Sequence, residues 1–193
     1  MSATTARPRI IYSDEGPESP YPLRMEGTVI SGFGRGSKEL GIPTANLPVD
    51  SDETPWIADS TSGVYFGYAS LALPASHPDR SSSSDSDSDS AYQIYPMVMS
   101  IGYNPFYKNT VRSAEVHVLH KFAQDFYDVP MRLLILGFIR KELDYSGLEA
   151  LIEDINIDCD VARQSLSREA WKPKEGVVGS GKGTLDGAWL VRP

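Results

Sequence analysis

The sequence of 193 residues has little or nothing of several features that define whole classes of protein. It has one cysteine, Cys159, so it forms no internal disulfide, which fits a reducing compartment. No window approaches the roughly 20 apolar residues of a membrane-spanning helix, and the N-terminus has no apolar core of a secretory signal. The basic residues number 18 against 26 acidic ones, and the formal charge of −8 argues against a nucleic-acid partner. The expected location is the cytoplasm, with an association with mitochondria left open by Arg7 and Arg9.

Part of the negative charge lies in one stretch, SSSSDSDSDSA, residues 81–91. Alternating Ser and Asp bury too little apolar area to offset the entropy of ordering, so we expect a disordered loop over about residues 76–91. The three aspartates resemble the start of a calcium-binding loop. However, Ser90 stands where the sharp turn needs glycine, and Pro96 stands where the bidentate glutamate belongs. A solvated insertion between strands is the favoured interpretation.

Most of the remaining chain shows strand patterns followed by one helical pattern. Segments rich in β-branched and aromatic residues are bounded by turn formers: RMEGTVISG, GVYFGYASLAL, YQIYPMVMSIG, SAEVHVLHKF and PMRLLILGFIR. Ser146 and Glu149 then form a predicted capping box, and apolar residues follow at helical spacing as far as Leu166. Cys159 lies on that apolar stripe, which predicts a core residue and not a nucleophile. The order predicts a closed or nearly closed antiparallel barrel with a helix covering part of it.

Two glycine-rich segments invite a nucleotide-binding interpretation. GFGRGSKELG, residues 32–41, lacks the G-x-G-x-x-G spacing and the βαβ context of a Rossmann site. GVVGSGKG, residues 176–183, has Gly183 in place of the P-loop Ser or Thr, so we expect a flexible tail there. In the first segment, Arg35 and Lys38 could join backbone N–H groups in a phosphate cradle.

Polar side chains recur on one face of the segment SAEVHVLHKF. In a strand, Glu115 and His117 share one face, and Val116 and Val118 share the other. A carboxylate beside an imidazole could serve as an acid–base pair, or the two could belong to an exposed ladder. His117 and His120 fall on opposite faces, which disfavours a zinc ion shared with Glu115.

The segment GIPTANLP, residues 41–48, holds Thr44 and Asn46 two residues apart on a stretch stiffened by Pro43. Neutral hydroxyl and amide oxygens are suitable ligands for Mg²⁺ when phosphates supply the negative charge. The same side chains could instead cap backbone groups of a turn. The residues alone leave both interpretations open.

Taken together, these motifs resemble the monofunctional eukaryotic riboflavin kinases. The resemblance extends from about Met25 to Leu166 and rests on GRGSK upstream of PTAN, on the Glu-x-His pair and on DFY. It implies a mainly β fold, a six-stranded antiparallel Greek-key β-barrel with a C-terminal α-helix. It also implies transfer of the γ-phosphoryl group of ATP to the 5′-hydroxyl of riboflavin, which gives FMN and ADP. The resemblance further implies a monomer.

The resemblance assigns roles to individual residues. Glu115 corresponds to the catalytic base, and Thr44 and Asn46 correspond to ligands of the metal, Mg²⁺, with Zn²⁺ and Mn²⁺ as alternatives. The implied ATP-binding residues are Gly32, Lys38, Thr44, Asn46, Val118, His120 and Tyr127. The implied flavin-binding residues are Arg140, Leu143 and Tyr145.

With this resemblance, we expect the chain to divide into an N-terminal extension (1–22), a kinase domain (23–170) and a Gly-rich C-terminal tail (171–193). Two other classes of function are compatible with a barrel fold. A non-catalytic flavin-binding barrel is disfavoured because Glu115 is present together with the PTAN segment. An oligonucleotide-binding barrel needs a basic groove, and the acidic composition disfavours it.

Overall fold

The structure, a computed structural model, describes residues 6–30, 41–50, 52–80, 91–103 and 111–192. Its strands are β1 (Leu23–Thr28), β2 (Ala45–Leu47), β3 (Gly63–Leu71), β4 (Gln93–Tyr103), β5 (Arg112–Val118) and β6 (Pro130–Lys141). Its α-helices are α1 (Leu148–Leu166) and α2 (Ala188–Val191), and short 3-10 helices cover Pro55–Ile57 and Glu169–Trp171. In these ranges no helix is long and apolar enough to cross a membrane. Gly32, Lys38 and the Ser/Asp run 81–90 lie outside the described residues.

The strands join in one antiparallel sheet in the order β1-β6-β3-β4-β5-β2. Strands β3, β4 and β5 follow one another as neighbours, and β6 returns to lie beside β3, which is the Greek-key order. A bridge between Ile30, just beyond β1, and Asn46 of β2 joins the two edges of the sheet. The predicted six-stranded Greek-key barrel with a C-terminal helix is confirmed.

The inner face of the barrel is filled by alternating apolar side chains. In β5, Val116 and Val118 point into the core, while Glu115 and His117 lie on the outer face. The predicted alternation of this strand is therefore confirmed. The other strands contribute large buried residues to the same core, including Met25, Tyr65, Met97, Met99, Ile101, Leu133 and Ile135.

Strands β3, β4 and β6 are buried on both faces over most of their length, and Val64, Ser100 and Arg140 near one end stay partly exposed. Their outward side chains, among them Phe66, Val98 and Leu136, belong to a second apolar cluster with Cys159 and Leu166 of α1. A strand without a solvent face has no reason to alternate, which explains the nearly continuous apolar runs of these segments. The helix therefore covers one side of the barrel and leaves the β5–β2 side accessible.

Helix α1 begins at Leu148, and its N-cap is Gly147, with no side-chain cap hydrogen bond. The predicted capping box of Ser146 and Glu149 is wrong, because the helix starts one residue later than that box requires. The interpretation of Cys159 is confirmed: the residue is 5% exposed, and burial raises the pKa of its thiol to about 11. A thiol that stays protonated and buried is a packing group.

The C-terminal segment, residues 171–192 in the structure, packs against the barrel. Trp171 and Leu190 are fully buried, and the Ser70 hydroxyl donates to the Leu190 carbonyl at 2.7 Å. The prediction of a flexible tail is therefore wrong. Three glycines of this segment adopt positive φ and form turns that other residues avoid: Gly176, Gly179 and Gly181.

The predicted start of the disordered loop, residue 76, is wrong, because the structure has packed residues after it. His77 is only 7% exposed, and its ring lies edge-on to Phe122 and Phe126. The Ala123 N–H donates to the Asp79 carboxylate at 2.8 Å. His77 and Asp79 thus pack against the barrel, although Ser76 and Pro78 stay exposed.

Candidate active site

The PTAN segment crosses the open side of the barrel between two buried anchors. Ile42 and Leu47 are 8% and 4% exposed, and they hold the two ends of the segment against the protein. Between them Thr44 and Asn46 are partly accessible to solvent. The segment is therefore fixed at its ends and presents its polar side chains at the surface.

Asn46 and Glu115 face each other on neighbouring strands. The register pairs Asn46 of β2 with Glu115 of β5, and pairs Glu115 with Ser100 of β4. Side chains directly opposite in an antiparallel pair have Cβ atoms about 4.5–5.5 Å apart. The amide, the carboxylate and the hydroxyl thus form one row of oxygen-bearing groups on the outer face.

Glu115 lies in an environment that disfavours its ionised form. Its side chain reaches solvent, but the protein around its carboxyl group withholds part of the water. This desolvation raises the pKa of Glu115, and the charge of Glu142 raises it further. A carboxylate with a raised pKa is a stronger base than an ordinary surface glutamate.

Glu142 is a member of this site that the sequence did not reveal. It follows β6, and its Oε1 comes so close to Gly102 of β4 that a Cβ atom there would lie 2.5 Å away. No local motif marks Glu142, because its place beside β4 follows from the pairing of β6 with β3 and of β3 with β4. Gly102 leaves room for the second carboxylate.

His117 connects β5 to the PTAN segment. Its Nδ1 lies 2.8 Å from the Pro43 carbonyl oxygen. Because a carbonyl only accepts, Nδ1 carries the proton. The ring is half-buried, and desolvation lowers the pKa of His117, which favours the neutral imidazole at neutral pH. The other interpretation of the sequence, an exposed ladder of polar side chains without specific partners, therefore does not apply to His117.

The residues implied for ATP binding occupy different surroundings. Val118 is 6% exposed, and its side chain belongs to the barrel core. The ring of His120 lies 4.9 Å from that of Tyr95, and its Nε2 is 3.4 Å from the Asp79 carboxylate. Tyr127 is 53% exposed, which leaves its ring free of dense packing.

The residues implied for flavin binding lie at the junction of β6 and α1. Arg140 donates from Nε and Nη2 to the buried carboxylate of Asp158, with distances of 2.8–3.1 Å. Tyr145 donates its hydroxyl to Asp154 at 2.6 Å. Leu143 is 56% exposed. Thus Arg140 and Tyr145 are both tied to α1, and Leu143 faces solvent.

This junction lies apart from Glu115 on the same sheet. Glu115 pairs with Ser100, Ser100 with Val64, and Val64 with Arg140. Three strand spacings correspond to about 14 Å along the sheet. Glu115 and Arg140 therefore lie on one continuous stretch of sheet, with β4 and β3 between their strands.

The oxygen donors of the site suit a hard cation. Within the ranges that the structure describes, no group of three His, Cys, Asp or Glu is arranged to hold a metal ion. Asn46 and Glu115 nevertheless place amide and carboxylate oxygens opposite each other, and the partly accessible Thr44 lies two residues before Asn46. Mg²⁺ takes few protein ligands and fills its shell with water and phosphate, whereas Zn²⁺ prefers nitrogen and sulfur. The donor set therefore fits Mg²⁺.

Comparison with known proteins identifies similar chains along nearly the whole length. The Flavokinase family model, described as riboflavin kinase, matches residues 19–166. A riboflavin kinase of Pyricularia oryzae is 67% identical over 195 residues, which cover 98% of this chain and 96% of that protein. A riboflavin kinase of Chaetomium globosum is 58% identical over 220 residues, covering 97% of this chain and 94% of that protein.

A solved structure shares the architecture. The crystal structure of riboflavin kinase from Trypanosoma brucei superposes with a TM-score of 0.56 at 26% sequence identity. The match covers 78% of this chain and 83% of that chain. The similarity therefore extends over most of the barrel fold.

Proposed function

The chain belongs to the riboflavin kinase family, whose function is the ATP-dependent phosphorylation of riboflavin to FMN, and on that premise we propose that Glu115 is the catalytic base. One observation carries the proposal. The β2–β5 register sets Glu115 directly opposite Asn46, so the base and the PTAN segment share one surface. Phosphoryl transfer depends chiefly on positioning and charge stabilisation, and this surface positions the base beside the segment proposed to meet Mg-ATP.

Glu115 acts on the 5′-hydroxyl of riboflavin. Its carboxylate accepts the hydroxyl proton as the oxygen attacks the γ-phosphorus of ATP, and the bond from that phosphorus to the β–γ bridging oxygen breaks, so that ADP leaves. Desolvation and the Glu142 charge raise the pKa of Glu115, which increases its proton affinity. The side chain also reaches solvent, so the proton can leave after each turnover.

Thr44 and Asn46 are proposed to meet the phosphates of ATP together with Mg²⁺. When bound, Mg²⁺ supplies positive charge to the phosphate oxygens. The Thr44 hydroxyl and the Asn46 amide contribute oxygens from a segment whose ends are buried. With the phosphates at this segment, the γ-phosphoryl group would lie next to the Glu115 carboxylate, because Asn46 is paired with Glu115.

The remaining contacts of ATP are proposed from the resemblance to the riboflavin kinase family. Gly32 and Lys38, outside the described residues, are assigned to the phosphates. The accessible ring of Tyr127 and the imidazole of His120 are assigned to the nucleoside. Because the Val118 side chain is in the core, we assign only its main chain to this role.

Riboflavin is proposed to lie across the outer face toward Arg140. Tyr145 offers an aromatic ring, and its hydrogen bond to Asp154 fixes the ring orientation. Arg140 is hydrogen-bonded to Asp158, so its guanidinium group is held in place and forms the positively charged side of the proposed riboflavin site. Leu143 adds exposed apolar surface.

The kinase domain is assigned to residues 23–170, and the enzyme is proposed to act as a monomer.

A direct assay tests the function. The purified full chain is mixed with ATP, MgCl₂ and riboflavin, and the products are separated by chromatography. We expect FMN and ADP in equal amounts. Flavin binding without FMN formation would identify a non-catalytic barrel. Replacement of MgCl₂ by ZnCl₂ or MnCl₂ in parallel reactions determines the metal, and light scattering determines the oligomeric state.

A further inference from the structure

Thr44 and Asn46 are held differently by the fold. Asn46 lies within the β2–β5 ladder, and its carbonyl also accepts the Ile30 N–H at 2.9 Å. Thr44 lies beyond the last pair of that ladder, which joins Ala45 to Val116. The main chain of Asn46 is thus fixed from both sides, whereas the orientation of Thr44 depends also on the residues before it.

The side chain of His117 forms the next contact along the segment. Its Nδ1–H donates to the Pro43 carbonyl at 2.8 Å. That carbonyl belongs to the planar peptide unit that ends at the Thr44 Cα, so holding the oxygen restricts the direction of the Thr44 side chain. Pro43 has no N–H, and its carbonyl is the only backbone hydrogen-bonding group that it offers.

We infer that His117 is a positioning residue for phosphoryl transfer, which fixes the Pro43 carbonyl and thereby directs the Thr44 hydroxyl toward the ATP phosphates. The inference rests on the proposed function, in which Thr44 meets Mg-ATP. His117 contacts neither substrate in this role and acts through Thr44. Its place two residues from Glu115 on β5 links the base and the phosphate-binding segment to the same strand.

Two substitutions of His117 test the hydrogen bond. His117→Leu removes the donor with little loss of volume, and His117→Asn keeps an N–H near the position of Nδ1. We expect His117→Leu to raise the KM for Mg-ATP about 2- to 12-fold, the range of one net hydrogen bond, and to leave the KM for riboflavin unchanged. His117→Asn should restore most of the loss. An equal rise in both KM values would indicate a merely structural role and would overturn the inference.

Double substitutions identify the residue through which His117 acts. In a Thr44→Ala background, His117→Leu should have no further effect on the KM for Mg-ATP. In an Asn46→Ala background, it should keep its full effect, because Asn46 is held independently. Equal effects in the two backgrounds would contradict the route through Thr44.

The outcomes separate this inference from the proposed function. If Thr44→Ala raises the KM for Mg-ATP and His117→Leu does not, only the role of His117 is refuted. If Thr44→Ala has no effect, the assignment of Thr44 is refuted as well. Should His117→Leu fail to fold, His117→Gln replaces it, since its amide lies near the position of Nε2 and cannot reach Pro43. On the wild-type chain, ¹⁵N NMR should show the Nδ1–H tautomer, and protonation at Nε2 alone would overturn the inference.

Discussion

At the scale of single residues, replacing one oxygen of Glu115 distinguishes a catalytic role of this side chain from a purely structural one. Glu115→Gln is nearly isosteric, but the amide cannot take the riboflavin hydroxyl proton. We expect kcat to fall about 10²- to 10⁴-fold, the range for a positioned general base. Single-turnover formation of FMN measures the chemical step, and flavin fluorescence titration should show unchanged riboflavin binding.

The matched control for that substitution is Glu153→Gln, an exposed carboxylate on α1. It removes the same charge from a surface away from β5, so kcat should stay at the wild-type value. If Glu115→Gln also keeps wild-type kcat and binding, Glu115 is not the base, and catalysis must depend on the phosphate-binding groups alone.

The raised pKa of Glu115 has a separate effect on stability. A group whose pKa is higher in the folded state stabilises the fold below its unfolded pKa, and this contribution is lost as pH rises through the folded pKa. The ionised Glu115 therefore destabilises the fold at neutral pH. Glu115→Gln should raise the melting temperature slightly at pH 7–8, and the difference should shrink toward pH 4. A lower melting temperature at pH 7–8 would contradict the raised pKa.

Single residues also show what the sequence can predict. The alternation of β5 correctly placed Glu115 outside and Val116 inside, because a two-residue period is a local property. The meeting of Glu115 with Asn46 could not be derived from that pattern, since β2 has only three residues and its partner lies far along the chain. The Arg140–Asp158 pair depends equally on how α1 docks.

At the scale of elements, the C-terminal segment shows how long-range packing overrides local composition. Its glycines and charges resemble a flexible tail, but Trp171 stacks on Phe66 of β3 at 5.8 Å and donates its Nε1–H to the Ser13 carbonyl at 2.9 Å. Neither partner lies near Trp171 in sequence. Together with the buried Leu190, Trp171 therefore anchors a segment whose composition predicts a flexible tail.

Trp171 gives this conclusion a quantitative test. Trp171→Ala removes a fully buried indole, and we expect the free energy of unfolding to fall by about 3–5 kcal/mol. Trp171→Phe should lose less, because it retains a ring against Phe66 while it gives up the hydrogen bond to Ser13 and part of the buried volume. Denaturant unfolding of both variants measures the changes. A loss below about 1 kcal/mol for Trp171→Ala would mean that the segment is not anchored by this residue.

At the scale of the whole molecule, an acidic residue ties two distant connections together. Asp79 precedes β4 in the chain, and it accepts the Ala123 N–H and lies beside His120, both of which follow β5. The hydrogen bond from Ala123 is the largest cause of the lowered pKa of Asp79, and His120 contributes to it. A carboxylate with a lowered folded pKa stabilises the fold above its unfolded pKa, and this contribution is lost as pH falls through the folded value.

The wild-type protein should therefore lose more stability than Asp79→Asn when the pH is lowered from 6 to 3. Thermal unfolding across this range measures the difference. Asp160→Asn, on the exposed side of α1, controls for the loss of one negative charge. Parallel curves for the wild type and Asp79→Asn would show that Asp79 does not join the two connections.

The pairing of β1 with β6 has a consequence for the chain while it is being made. Glu26 of β1 and Arg132 of β6 are 106 residues apart, and Ser13 and Trp171 are 158 apart. A ribosome that adds about 5–20 residues per second completes β1 about 5 to 20 seconds before its partner strand exists. During translation the edge of β1 is open to pairing with neighbouring nascent chains. On a polysome, where such chains are crowded, this open edge exposes the nascent chain to aggregation, whereas the finished enzyme has β1 paired with β6.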